Sequence, residues 1–132
     1  SVTVQQIVEI ARPKESLVIA CSDETTALTA GVAKVTFHVP YDFYVDEVFA
    51  GLTTVQTSGA TFTVDINDAV ASILSTKITI DNTEETSLTA AVPPVISDQQ
   101  LTKGAKMTID IDAIGDGTAK GLKVYIIGRR LA

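Results

Sequence analysis

Several residue types are scarce or missing in this 132-residue chain, and each scarcity closes off a class of function. There is no tryptophan, and aromatic residues make up only 5% of the sequence, so a platform for stacking sugars or bases has little to be built from. His38 is the only histidine, which excludes the zinc and iron sites that need several imidazoles. Cys21 is the only cysteine. It cannot form an internal disulfide, and its place in the run Leu17-Val-Ile-Ala-Cys21 predicts a buried thiol, not a reactive one. The fold therefore does not depend on an oxidising compartment. Lys and Arg number 10 against 16 Asp and Glu, a formal net charge of −6. The basic residues are scattered, and Arg129-Arg130 is too short for a basic tail, so no nucleic-acid partner is expected. No apolar run approaches the ~20 residues that span a bilayer. The opening SVTVQQIVEIARPKES lacks the basic-then-apolar pattern of a leader, and Ser1 fits simple removal of an initiator Met. The expectation is a soluble protein made in a cytoplasm, with no membrane partner.

What is present is enough apolar material for one globular domain: 45% hydrophobic and 20% charged residues. A chain of this length buries roughly two-thirds of its surface on folding, which supports a core without disulfides or metal. The first segment differs from the rest. Val4, Ile7, Val8 and Ala11 recur at helical spacing with Gln5, Gln6 and Glu9 between them, and Pro13 stops the pattern. A helix of about ten residues is marginal alone and needs something to dock on; an extended arm lying along a neighbour is the alternative. Residues 1–15 are assigned to this arm, with Val2, Val4, Ile7, Val8 and Arg12 as its candidate docking residues, and 16–132 to a β domain.

Beyond Pro13 the period is two. Val35, Phe37 and Val39 alternate with polar residues, as do Phe62, Val64 and Ile66, then Ile78 and Ile80. The same holds for Met107, Ile109 and Ile111, and for Leu122, Val124 and Ile126. Such alternation describes strands buried on one face, and the Val, Ile and Thr content suits a pleated surface. Further strands are expected near 16–21, 44–54, 71–76 and 86–92, separated by turn signals at Thr57-Ser-Gly59, Asp81-Asn82, Pro93-Pro94, Lys103-Gly104 and Gly115-Asp-Gly117. The reading is all-β: an antiparallel sandwich, jelly-roll-like, of about eight strands, with an up-and-down barrel as second choice. Thr63-Val-Asp-Ile-Asn67 echoes Thr108-Ile-Asp-Ile-Asp112 and places Asp110 in register with Asp65 on an outward strand face.

The stretch TIDIDAIGDG (108–117) has the look of a calcium loop. Counted from Asp110, however, the fifth and twelfth ligand positions fall on Ile114 and Gly121, so the loop fails its own chemistry. Solvated strand and turn carboxylates are the default reading, and a looser cation site at Asp112 and Asp116 stays open. His38 sits in strand-like alternation with no strained nucleophile turn nearby, which favours a strand-face histidine over a general base. Phosphate-cradling glycine loops are absent from the sequence. Paired acids for glycoside hydrolysis would meet only in the fold. Tyr41, Phe43 and Tyr44 form the one aromatic cluster, read as closing one end of the sandwich, with a ligand platform as the lesser alternative. The expectation is a protein that is not an enzyme and carries no cofactor.

Four segments together carry a resemblance: Thr63-Val-Asp-Ile-Asn67, Ser72-Ile-Leu-Ser-Thr-Lys-Ile-Thr-Ile-Asp-Asn82, Pro94-Val-Ile-Ser-Asp98, and Thr108–Asp112 with Gly121-Leu-Lys-Val-Tyr-Ile-Ile-Gly128. As a set, over roughly residues 34–128, they resemble a small β-rich domain found among structural proteins of tailed bacteriophages. Ala69-Val-Ala71 departs from it where a glycine-bearing hairpin turn is expected. The resemblance implies a virion component, similar both to capsid decoration (cement) proteins and to pieces of tail fibres. With no heptad or fibrous repeat to make a shaft, and with an acidic charge that suits the outer shell, capsid decoration is favoured. The partner is then the major capsid protein, on the capsid exterior, with a homo-oligomer, trimeric by preference, at local threefold positions. A tail-fibre or glycan-binding host-recognition module is the alternative.

Overall fold

Six strands of six to nine residues carry the architecture: β1 (Glu15–Ala20), β2 (Gly31–His38), β3 (Phe43–Gly51), β4 (Phe62–Asp68), β10 (Lys106–Ala113) and β11 (Lys123–Arg130). Five shorter segments complete the strands among the described residues: β5 (Ala71–Ser72), β6 (Leu74–Thr76), β7 (Ile78–Ile80), β8 (Val95–Ile96) and β9 (Gln100–Leu101). The structure is a computed structural model and describes residues 3, 4 and 12–131. Val2, Ile7 and Val8 of the candidate arm lie outside the described residues; Val4 is described and exposed.

The fold is all-β, and every strand pairing among the described residues is antiparallel. One sheet runs β1-β11-β3-β9; the other runs β2-β10-β4-β5, with β7 also pairing to β4; β6 and β8 form a small ribbon. The alternating residues do what their spacing predicts. Val64 and Ile66 on β4, Met107, Ile109 and Ile111 on β10, and Val124 and Ile126 on β11 are buried in one shared core with Phe43, Phe62, Ile73, Ile78 and Leu122. Burying such side chains contributes about 1.5–3 kcal/mol each, the main force holding the sheets together.

The echo between the two T-[VI]-D-I segments is a real pairing. Asp110 lies directly opposite Asp65 in the β10–β4 ladder, and Ile109 opposite Ile66. The segment 86–92, read from sequence as a strand, differs: Ser87–Thr89 is a single 3-10 turn. The Thr86 side chain accepts from the Leu88 backbone N–H, and the Ser87 hydroxyl accepts from the Ala50 N–H at 3.0 Å. Hydroxyl side chains here offer the backbone an alternative to a ladder. Thr86 keeps only an isolated bridge to Gly51.

Candidate functional site

Two surface regions gather the residues that sequence analysis singled out, and a third was not anticipated. The first lies where the chain enters β1. Arg129 donates from Nε to the Arg12 carbonyl at 3.0 Å and from Nη1 to Asp46 at 3.1 Å, while Lys14 stands 4.0 Å from the same Asp46 carboxylate. In the antiparallel register these residues sit at one end of the outer face of the β1-β11-β3-β9 sheet. Beside them, Arg130 pairs with Glu15 at 3.2 Å and places its guanidinium carbon 4.6 Å over the Tyr41 ring. That hydrogen bond from Arg130 holds the Glu15 carboxyl below its usual range. Burial, then Glu15, pushes the Tyr41 hydroxyl up. Arg12, Pro13, Glu15 and Arg130 line a cavity of about 160 Å³. Residues 12–15 and the aromatic cluster therefore meet at one corner, although the sequence presents them as separate features.

Within that cluster the three aromatics part ways. Phe43 is wholly buried and Tyr44 is 8% exposed, because both lie on the inner strand β3 between β11 and β9. Tyr41 precedes the strand, tilts against Phe43 with ring centroids 5.8 Å apart, and is the one with surface to offer. The cluster closes an end of the core, and any ligand contact from it would come through Tyr41 and Arg130.

The second region is the acidic strand face. Asp110 accepts from the Ala33 N–H at 2.7 Å and from the Asn67 amide at 2.9 Å. Asp65 is on the outward side of β4 yet is 6% exposed, accepting from the Ser72 hydroxyl and the Ile66 N–H. The excursion through β5 and β6 covers it. Lys77 bridges Asp112 at 2.5 Å and stands 4.0 Å from Asp65, and the bond to Asp112 raises the Lys77 pKa. Asp116 has different partners altogether. Its carboxylate accepts from the Thr118 hydroxyl at 2.6 Å, from the Thr57 N–H and hydroxyl at 3.0 and 2.9 Å, and from the Ser58 N–H at 3.2 Å. These donors, the Thr118 hydroxyl first, push its pKa well below the ordinary carboxylate range. TIDIDAIGDG is thus a strand followed by a clasp: Asp116 grips the 57–58 loop, and the buried Gln56 side chain accepts from the Gly115 N–H at 2.8 Å. Gly115 is required there, since a Cβ would run into the Ser58 and Ala60 carbonyls.

The unanticipated region is the middle of the outer face of the β1-β11-β3-β9 sheet. Val18, Tyr125 and Phe49 stand in one cross-strand row, and the Phe49 and Tyr125 rings stack with centroids 4.4 Å apart and planes 11° from parallel. The two rings, without Val18, border a cavity of about 230 Å³ lined also by Thr53, Glu85, Thr86 and Lys123. Lys123 is held by Glu24, which also accepts from the Thr53 hydroxyl. The signal was available in outline: Phe49 and Tyr125 occupy the outward phase of strands whose inward positions are Val48, Ala50, Val124 and Ile126. Their pairing, 76 positions apart, needed the register.

The remaining candidates are plain. His38 is exposed at the end of β2 opposite Lys106. Cys21 is buried, and burial pushes its thiol up to about 12, so it is a poor nucleophile. Comparison with protein-family models, with curated proteins and with solved structures found no match to the chain.

Proposed function

We propose that the protein is a non-enzymatic structural component of a tailed-phage virion: a decoration (cement) protein that binds the major capsid protein on the outer shell and stabilises it. The observation that carries this reading is the fastening of the arm's root. Arg129, Asp46 and Lys14 tie residues 12–14 to the sheet, so a segment that grips a neighbour would pull on a braced sandwich and not on a loose tail. The resemblance over residues 34–128 supports the same assignment, as does the chain's net charge of −6, which suits a position on the outer shell away from packaged DNA. A jelly-roll path is supported by the strand orders, in which β1 leads to β2, β3 to β4 and β10 to β11, each step crossing from one sheet to the other. A homo-oligomer, with trimers at local threefold positions, completes the reading.

Capsids assembled with and without the protein test it. Hundreds of copies per particle and a lower melting temperature for the shells that lack it are expected. Density for this chain only at the tail, or equal heat resistance of the two shells, would overturn the cement role. A host-recognition module that binds glycans is the second reading, and the Phe49–Tyr125 cavity with its Thr53, Glu85 and Lys123 polar groups favours it. It requires glycan binding by the isolated domain that Tyr125→Ala abolishes.

A further inference from the structure

The two sheets end in strands of very unequal design. The edge strand β2 carries Lys34 in its middle, a register shift opposite Ile109–Ile111 and a left-handed residue, Ala33 at φ 50°, whose N–H is already taken by Asp110. β5 and β9, at the opposite edges, are two residues long. Charge, irregularity and shortness are the standard guards against a sheet edge recruiting another chain. β1 is neither short nor irregular, and its one charged residue, Glu15, stands at its end and is paired with Arg130. Its six residues, ESLVIA, run in unbroken register against β11, with no proline and no lysine, and among the described residues no strand pairs with its other side.

This edge, unpaired among the described residues, is also complementary to itself. Cys21 donates its N–H to the Leu122 carbonyl, and antiparallel ladders alternate. Ser16, Val18 and Ala20 therefore direct their N–H and C=O groups away from β11, toward the open side. A second β1 laid antiparallel with Val18 on the two-fold axis sets Val18 against Val18, Leu17 against Ile19 and Ser16 against Ala20. No like charges face each other, and each pair keeps its own side of the sheet, since Leu17 and Ile19 already pack on the core while Val18 is 53% exposed. A register one residue off would set inner against outer residues. In the matched register the row Val18–Tyr125–Phe49 becomes a six-residue apolar row across both copies.

We infer that β1 is a docking edge for a second copy of this chain, joining two four-stranded sheets into one eight-stranded sheet about a two-fold axis. The inference does not depend on the capsid reading. On a shell of decorating trimers the same contact would link one trimer to the next across a local two-fold.

Cysteine cross-linking tests it, because opposed residues in such a ladder have Cα atoms about 5.5 Å apart, within disulfide range. Under mild oxidation Val18→Cys should give a covalent two-chain species on a non-reducing gel. Val70→Cys, fully exposed on a hairpin tip, should stay single-chain, as should the wild type with its buried Cys21. Val18→Lys sets like charges on the axis; it should keep the wild-type circular dichroism spectrum and halve the mass measured by light scattering. Cross-linking of Val18→Cys no faster than of Val70→Cys overturns the inference. So does a wild-type mass of one chain, the result expected if the protein's own N-terminal segment fills the edge, or a three-chain mass that Val18→Lys leaves unchanged.

Discussion

Asp116 shows how much a single exposed carboxylate can organise. It ties two stretches of chain, residues 57–58 and its own turn through Thr118, by backbone and hydroxyl donors. Those donors favour the charged form, so the folded pKa lies below the unfolded one, which is ~3.9. Its contribution to stability is present above the unfolded value and is lost as pH falls through the folded one. Asp116→Asn should therefore lower the melting temperature at neutral pH, and the gap between the two proteins should close on acidification below about pH 4. A gap that stays constant down to pH 2 would show that shape, not charge, makes the clasp. At this scale the sequence was legible in part. The ligand count on Asp110, Ile114 and Gly121 argued against a calcium loop, but nothing local to Asp116 pointed to Thr57 and Ser58, 59 and 58 residues away. Asp65 was placed on the correct face of its strand, yet its burial depends on the β5–β6 excursion, which alternation does not encode.

Strands and turns were the most legible level, because an apolar residue at every second position already states which face is buried. The exceptions lie where side chains compete with the backbone or where a ladder is irregular. The hydroxyls of Thr86 and Ser87 turned an expected strand into a 3-10 turn. Phe43 and Tyr44 are neighbours and both buried, beside the register shift that brings Gly128 opposite Val45. A Cβ on Gly128 would collide with the Tyr44 carbonyl, which explains a glycine inside a strand. The β4–β5 hairpin turns through Ala69 and Val70, and Ala69 takes the left-handed conformation at φ 56°. That conformation costs an alanine roughly 1–2 kcal/mol, against about 0.5–1 kcal/mol of extra unfolded-state entropy for glycine. Ala69→Gly should therefore raise the urea midpoint, by the equivalent of about 0.5–1 kcal/mol. A lower midpoint would mean that the alanine methyl is not strained.

For the molecule as a whole, the division of labour between the arm and the β domain is the point to test. The described core draws on β3, β4, β6, β7, β9, β10 and β11 and includes no residue before Cys21 among its buried members, with Leu17 and Ile19 packed against it. Removing Ser1–Pro13 should leave the strand content unchanged by circular dichroism and cost only the Arg129–Arg12 bond of those described above. On the decoration reading proposed above, the same deletion should abolish binding to capsids. Retained binding would move the attachment surface to the sheets themselves. That the fold is all-β was readable from periodicity because the alternation is repeated along the chain. The meeting of Arg12, Glu15, Tyr41 and Arg130 was not, because it brings together residues from the two ends of the described chain and from the segment leading into β3.

The braced corner also sets how the protein carries load. Glu15 pairs with Gly128 and Ala20 with Lys123, so the chain enters β1 and leaves β11 at the same end of the sandwich. A force that separates those two chain ends would peel β1 from β11 one pair at a time, starting with the Glu15–Arg130 bridge. A force between the arm and the opposite rim, where Glu24 and Lys123 sit, runs along β1 and loads its six pairs together. The β1–β11 ladder is weak as a zipper and strong in shear, and it resists best when the chain entering at Glu15 is pulled away from the far rim.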